Sequence, residues 1–330
     1  MTISVGILGA AGIAPMALIG PAREVPDVSI RAIAARDVMR ARGFAAHHGI
    51  PRVYDSYAAL IADPAIDAIY NPLPNGLHGH WTIAALRAGK HVLCEKPFTA
   101  NADEAEAVAA IARQTGLIAM EAFHYRYHAL TKRMLTIIGS GELGTVRHIR
   151  SWFHIPLFGR NIRWDHRLAG GALMDVGCYP VSLIRTLAGA EPSVRSATAK
   201  TRSHEVDRCL QAEMIFSDGR TATLSASMLS TRLLGAGVQV LGSGGTMEVS
   251  NPFVPHLWHR LTVRSAAGRR VEKLARRPST YVAQLEAFTA ALLHGKPLPT
   301  NADDAIANMR VIDACYVAAG LSPREPTRVT

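Results

Sequence analysis

Ile3-Ser4-Val5-Gly6-Ile7-Leu8-Gly9-Ala10-Ala11-Gly12-Ile13-Ala14 opens the chain and decides the fold. Ile3 to Leu8 reads as a buried strand, and Gly9, Gly12 and Pro15 punctuate the turn into a helix. The stretch departs from the dinucleotide fingerprint G-x-G-x-x-G/A. Gly9 supplies the tight turn, Ala11 stands where the backbone approaches a pyrophosphate, and Ala14 takes the helix-packing position. Small residues therefore occupy all three sites. A phosphate needs backbone N–H groups and a helix N-terminus facing it with no side chain in the way, so Gly9, Ala10, Ala11, Gly12 and Ile13 form the candidate cradle.

The same texture continues through the N-terminal third. Ser29 to Ala34, Ala68 to Tyr70, His91 to Cys94 and Leu117 to Met120 read as short buried strands with helical patterns between them, the signature of a parallel sheet. Residues 102 to 115 read as a helix, with Asn101 as its cap, Glu104 at the capping-box position and Gly116 suited to its C-terminal left-handed turn. After residue 122 the strands lengthen and alternate. Val146 to Ile155, Val194 to Thr201, Leu210 to Phe216, Ala222 to Met228, Val238 to Leu241 and Leu261 to Arg264 predict a mostly antiparallel sheet, with Ser217-Asp218-Gly219 as a hairpin turn. Two late helices, near 281 to 293 and 301 to 319, end at Gly295 and Gly320. The expected division is an α/β dinucleotide-binding domain over residues 1–122 and a second α/β domain over 123–330. No internal repeat or low-complexity segment interrupts either.

With 330 residues and 48% hydrophobic content, each domain can bury its own core. The net charge of +10 is scattered, with no block of five like charges, which argues against nucleic acid and suits an anionic cofactor or substrate. Cys94, Cys178, Cys209 and Cys315 are far apart and show no CxxC pairing, which fits a reducing cytoplasm without structural zinc or a disulfide framework. Residues 1–22 carry no charge but lack a basic n-region, and nothing else approaches membrane-spanning length. The 14 histidines do not assemble a convincing ligand set, and no metal is expected.

Three constellations carry chemistry. Glu95-Lys96-Pro97 follows the apolar run Val92-Leu93-Cys94, and ligands bind outside the carboxyl ends of strands in open α/β sheets. Lys96 is therefore a catalytic candidate, the alternative being two solvated charges before a helix. At the end of the second strand stands Ala34-Ala35-Arg36-Asp37, with Arg36 placed 36 − 9 = 27 positions after the first glycine. Arg36 suits a charge-assisted fork on a ribose 2′-phosphate, a contact worth roughly 1.5–3 kcal/mol. This favours NADP(H) and leaves NAD(H) open; the alternative gives the ribose to Asp37. Third, Gly170-Gly171 opens a helix in which Asp175 and Tyr179, at i and i+4, project from one face. An ammonium beside a Tyr favours its phenolate and fits it for proton transfer near neutral pH. Without Lys96 the same pattern reads as a packed helix with a buried Tyr.

These motifs, with Asn71-Pro72-Leu73-Pro74-Asn75-Gly76-Leu77-His78 and Met120-Glu121-Ala122-Phe123, together resemble the glucose-fructose oxidoreductase, inositol dehydrogenase and MocA family over essentially the whole chain. The resemblance implies a Rossmann domain followed by an α/β domain with a large open, mostly antiparallel sheet used for pairing into a homodimer or homotetramer. Tyr at 179 is similar to the dimeric dihydrodiol dehydrogenases, the NADP-dependent xylose dehydrogenases and glucose-fructose oxidoreductase itself. By the same resemblance Lys96 lies near nicotinamide and substrate carbonyl, Leu73, Pro74, Asn75 and His78 flank the cofactor, and Glu95 supports the nicotinamide loop.

The expected activity is reversible hydride transfer between nicotinamide C4 and a carbinol or carbonyl carbon of a sugar, polyol, cyclitol or trans-dihydrodiol. Tyr179 exchanges the hydroxyl proton, Lys96 assists it, and Asp175 orients substrate or Lys96. Arg163, Trp164 and Tyr281 are wall candidates, Trp164 beside the cofactor and Arg163 and Tyr281 beside the substrate; Trp164 and Tyr281 serve equally well as core aromatics. A cofactor-dependent sensor on the same fold is the alternative, and it has no need for Lys96, Asp175 and Tyr179 together.

Overall fold

Apolar side chains at Ile3, Val5, Ile7 and Leu8 are at most 4% exposed, so the first strand is buried on both faces, as a parallel sheet requires. The computed structural model describes residues 2–203, 205–231 and 234–329. Strands β1 (Ile3–Leu8), β2 (Val28–Ala34), β3 (Arg52–Tyr54), β4 (Ala68–Asn71), β5 (His91–Cys94) and β6 (Ala119–Glu121) pair in parallel in the order β3-β2-β1-β4-β5-β6. Strand order reverses beside β1, which places the switch-point crevice at the carboxyl ends of β1 and β4. Between the strands run α1 (Gly20–Ala22), α2 (Val38–His48), α3 (Tyr57–Ala62), α4 (His78–Arg87) and α5 (Ala102–Thr115). The bounds of α5 agree with the sequence reading: Asn101 accepts from the Glu104 N–H, and Gly116 ends the helix at φ 69°.

The second sheet follows α6 (Ala129–Gly139). It comprises β7 (Val146–His154), then, after α7 (Cys178–Ala188), β8 (Ser193–Ser203), β9 (Val206–Ile215), β10 (Thr221–Ser227), β11 (Gly235–Gly242), β12 (Gly245–Ser250), β13 (Arg260–Ser265) and β14 (Gly268–Glu272). The order is β14-β13-β12-β11-β7-β10-β9-β8, antiparallel throughout except for β7 and β10. The β9–β10 hairpin closes as expected, with the Phe216 N–H on Arg220 O and Gly219 at φ 85°. One face of the sheet is apolar and carries α7; His148, Arg150, Gln211, Glu213 and Gln239 line a polar hollow elsewhere on it.

Three strands escaped the sequence reading. β3 is three residues long, and glycines precede the Met247/Val249 alternation of β12. β14, Gly-Arg-Arg-Val-Glu, has no apolar period; ion pairs hold it, with Arg133 and Arg270 both on Glu272 and Arg270 also on Glu142. The Arg133 guanidinium, then that of Arg270, keeps Glu272 down at about 2.

The chain closes with α8 (Thr280–His294), α9 (Ala302–Ala318) and a tail without regular structure. One compact unit comprises the chain through His124 together with Tyr281–Ile306; the other comprises Tyr125–Thr280 and Ala307–Thr327. The first break lies close to the division expected after residue 122. The returning segment was grouped with the second domain from sequence. In the structure it extends the first sheet, because the Glu121 N–H donates to Thr300 O and Met120 bridges Asn301. No helix among the described residues is long and apolar enough to cross a membrane.

His128 caps α6, its Nδ1 accepting from the Leu130 N–H at 3.1 Å. Burial, then the neighbouring His259 and His256, pushes its pKa down to about 4. The unfolded chain, with its ordinary value near 6.5, takes up this proton first as pH falls. The contribution of His128 to stability is complete above about pH 6.5 and is lost toward pH 4. Asn also caps well and does not titrate. His128→Asn should keep the melting temperature at pH 8 within a few degrees and show a smaller loss than the parent between pH 6.5 and 4.5 in thermal denaturation.

Candidate active site

The nucleotide end of the first unit is built by backbone. The Gly9 N–H donates to Ala34 O at 2.6 Å, joining the ends of β1 and β2, and Gly9 takes φ 89°, where a side chain is strained. A Cβ on Gly12 would meet nothing within 4 Å, so the loop opens outward there, with Ala10 buried and Ala11 and Ile13 half-buried. Pro15–Ile19 forms a π-helical turn before α1, closed by the Gly20 N–H on Pro15 O. Pro21 follows, and its ring would press on the Ala17 carbonyl in an unbroken α-helix; the wider turn relieves this.

Asp37 caps α2, accepting from the Met39 and Arg40 N–H groups at 2.9 and 3.1 Å. Oδ1 of its exposed carboxylate is thus engaged by the helix. Arg36 remains exposed at the end of β2, and Arg40 reaches back from α2 to donate to Ala10 O at 2.9 Å. Burial raises the Tyr57 hydroxyl, while a hydrogen bond with the Arg36 backbone and then the Arg36 and Arg40 charges pull it back. Arg40 was missed from sequence. Its signal is a cation in the first turn of the helix that Asp37 caps.

Lys96 is half-buried just beyond β5, and the Lys96–Pro97 peptide is cis. The surrounding backbone is tied at each step. Glu95 donates its N–H to Asn71 O and accepts from the Tyr70 hydroxyl at 2.8 Å; the Phe98 N–H donates to Glu121 Oε1 at 2.9 Å; the Ala100 N–H donates to Glu104 Oε2 at 2.8 Å. The His78 ring spans Pro97 O at 2.7 Å and Leu73 O at 2.6 Å, joining the Leu73-Pro74-Asn75 loop to the lysine loop. Burial lowers its pKa to about 4 against the pull of those carbonyls, and Lys96 adds to the lowering. Asn75 starts a short 3-10 turn, and Leu73 lies over Gly9. Burial pushes Glu104 up to about 7. Tyr281, 5% exposed, packs on His124 at 4.1 Å, and burial with the Glu95 charge raises its pKa.

Arg163, Trp164, Asp175 and Tyr179 lie together in the second unit. Arg163 Nε donates to Asp175 Oδ1 at 2.7 Å, and Asp175 and Tyr179 are each 8% exposed. Phe153 and Phe253 stack on each other and flank the Tyr179 ring at 5.5 and 5.2 Å, with Tyr125 at 6.1 Å. Trp164 packs on the cluster of Ala172, Val176, Ala226 and Met228, under the Arg202 guanidinium at 4.8 Å. The α-helix expected through Asp175 and Tyr179 is instead a π-helical turn, Leu173–Gly177, leading into α7. Pro180 is the cause, since it sits in the first turn of α7 and its ring faces the Val176 carbonyl.

A family model described as an oxidoreductase family with NAD-binding Rossmann fold, GFO_IDH_MocA, matches residues 3–123, and the GFO/IDH/MocA C-terminal domain matches residues 131–248. The chain belongs to the Gfo/Idh/MocA oxidoreductase family. Within it, the chain is 40% identical over 318 residues to D-xylose 1-dehydrogenase (NADP(+)) 2 of Haloferax volcanii, covering 95% of this chain and 96% of the relative. It is 33% identical to the trans-1,2-dihydrobenzene-1,2-diol dehydrogenase of Xenopus tropicalis, over 68% of this chain and 67% of that one. Among solved structures, KijD10, a 3-ketoreductase from Actinomadura kijaniata in complex with NADP and TDP-benzene, superposes with a TM-score of 0.89 at 28% identity, covering 96% of this chain and 98% of that chain.

If Asp37 serves α2 alone, Asp37→Ala should lower stability by about 1 kcal/mol and leave the ratio of kcat/KM for NADPH over NADH within twofold. A selective loss of NADH turnover would assign Asp37 to the ribose instead.

Proposed function

We propose that the chain is an NADP(H)-preferring dehydrogenase or reductase acting on a CH–OH or C=O carbon of a sugar, polyol, cyclitol or trans-dihydrodiol. The observation that carries this reading is the lysine loop, in which buried side chains fix the backbone on both sides of Lys96. A lysine on so fixed a backbone at a strand end serves transition-state stabilisation, which a sensor has no reason to maintain. The activities of the relatives, on xylose, a dTDP-linked ketosugar and a cyclic diol, share the same carbinol chemistry.

NADP(H) fits the chain's own residues. The open side of Gly12 leaves room for phosphate, Oδ1 of Asp37 caps α2, and Arg36 and Arg40 supply cations for a 2′-phosphate. When bound, the cofactor donates or accepts the hydride. The residues of the chain do the rest. In oxidation, the Tyr179 oxygen takes the substrate hydroxyl proton while Lys96 hydrogen-bonds the same oxygen as negative charge develops on it. In reduction, Tyr179 returns the proton. Asp175, held by Arg163, orients a neighbouring substrate hydroxyl. Leu73, Pro74, Asn75, His78 and Glu95 shape the nicotinamide side, with Trp164 beside the cofactor and Arg163 and Tyr281 toward the substrate. We assign the protein to the cytoplasm as a homodimer or homotetramer paired through the second sheet.

Lys96→Ala and Tyr179→Phe should each lower kcat by about 10²-fold or more with NADP(H) affinity changed only a few-fold by fluorescence titration. Retained turnover in both would remove the acid/base assignment. Arg36→Ala and Arg40→Ala should each lower the NADPH over NADH preference in kcat/KM by about tenfold; an unchanged ratio would reject both as phosphate readers. A screen of sugars, cyclitols and trans-dihydrodiols with both nicotinamides, read by absorbance at 340 nm, tests the substrate class, and no turnover across the panel would count against it.

A further inference from the structure

Arg324 lies in the C-terminal tail, beyond α9, in a segment without helix or strand, yet its side chain has no exposed surface. Its guanidinium donates from Nε to Gly170 O at 2.9 Å and from Nη2 to Glu205 O at 2.8 Å and Asp207 Oδ1 at 2.9 Å, and it stacks over the Tyr316 ring at 4.1 Å. Asp207, equally buried, takes the Tyr316 hydroxyl on the same oxygen at 2.9 Å. Its other oxygen accepts the Leu173 N–H at 2.7 Å, the first N–H of the π-helical turn that carries Asp175.

Gly171 lies against this cluster at φ 144°, and a Cβ there would come within 2.1 Å of Asp207 Oδ1. Farther along the tail, the Thr327 hydroxyl donates to Arg167 O at 2.6 Å. Two contacts from one tail therefore hold the segment that leads into Asp175 and Tyr179.

A buried ion pair is not the most stable way to fill such a space, because apolar residues of similar volume often serve as well or better. What a charged cluster adds is direction. Its hydrogen bonds are satisfied in one arrangement of Gly170, Leu173 and the turn that follows, and a slip of that turn would strand a charge.

We propose that Asp207, Arg324 and Tyr316 are positioning residues for Tyr179, and that the C-terminal tail is a strap that sets the register of the turn and helix bearing it. The inference rests on the reading of Tyr179 as the acid/base group. Displacements of about 1 Å at a reacting group cost on the order of 10²-fold in rate, so a small slip of this turn has a large kinetic effect while cofactor binding, built by the other unit, is spared.

The test uses the full-length protein with D-xylose and NADP+, or the panel sugar that turns over fastest. Arg324→Met should fold, bind NADP(H) within about twofold of the parent and lose about tenfold or more in kcat. Hydrogen exchange of a peptide spanning residues 170–179 should quicken while peptides from β1 to β6 stay unchanged. Millimolar methylguanidinium should restore part of the kcat of Arg324→Ala. In a Tyr179→Phe background the Arg324→Met effect on kcat should largely vanish. If Arg324 variants fail to fold, Tyr316→Phe removes one hydrogen bond and should give a smaller loss of the same kind. Unchanged kcat with unchanged exchange at 170–179, or an equal loss in the Tyr179→Phe background, would overturn the strap. Full activity of Tyr179→Phe alone would overturn the acid/base reading, and hydrogen exchange would still judge the strap.

Discussion

Backbone N–H groups at the start of a helix or at a tight loop have no partner within their own segment, and in this protein carboxylates supply it beside each proposed functional residue. Asp37 serves Met39 and Arg40 next to Arg36; Glu121 serves Phe98 and Glu104 serves Ala100 next to Lys96; Asp207 serves Leu173 ahead of Asp175 and Tyr179. At the buried Glu121 and Asp207, hydrogen bonds to a charged group contribute roughly 1.5–3 kcal/mol each. Removing one of these leaves a buried N–H unmatched, so those two segments have few alternative arrangements.

That constraint explains why functional side chains can be half-exposed without being loose. Lys96 is half-buried, but Pro97 and Phe98 beyond it are tied to the buried His78 and Glu121, and Ala100 to the half-buried Glu104. Tyr179 sits among Tyr125, Phe153 and Phe253, and the aromatic packing restricts its ring while Asp207 holds the start of the π-helical turn before it. The two π-helical turns belong to the same design. Each follows a glycine-containing loop and precedes a proline, Pro21 or Pro180, and each gives the chain an extra residue in which to adjust before a regular helix begins.

Much of this was legible in one dimension. The fingerprint from Gly9 to Ala14, the helix from 102 to 115 with its cap at Asn101, and the Ser217-Asp218-Gly219 turn all depend on local backbone preferences and periodicity, and local signals survive in a single sequence. β14 did not, because it has no apolar period; it is paired to β13 and its charged side chains meet Arg133 and Glu142, which are distant in the chain. Arg40 was missed for a related reason, and Asp37 stayed open as the alternative ribose partner. Either acid or base at a strand end suits a ribose, and only the cap geometry shows that Asp37 is already engaged.

The residue types themselves determined the Rossmann sheet and the place of Lys96 beyond β5, since each follows from periodicity along a strand, whereas the π-helical turn between Asp175 and Tyr179 did not follow from spacing. Tertiary structure alone decided that Arg324, a charged residue in an irregular tail, would be buried against Asp207 and Gly171. No local pattern announces it, because the cost of burying a guanidinium is met by partners 117 and 154 residues away in the chain.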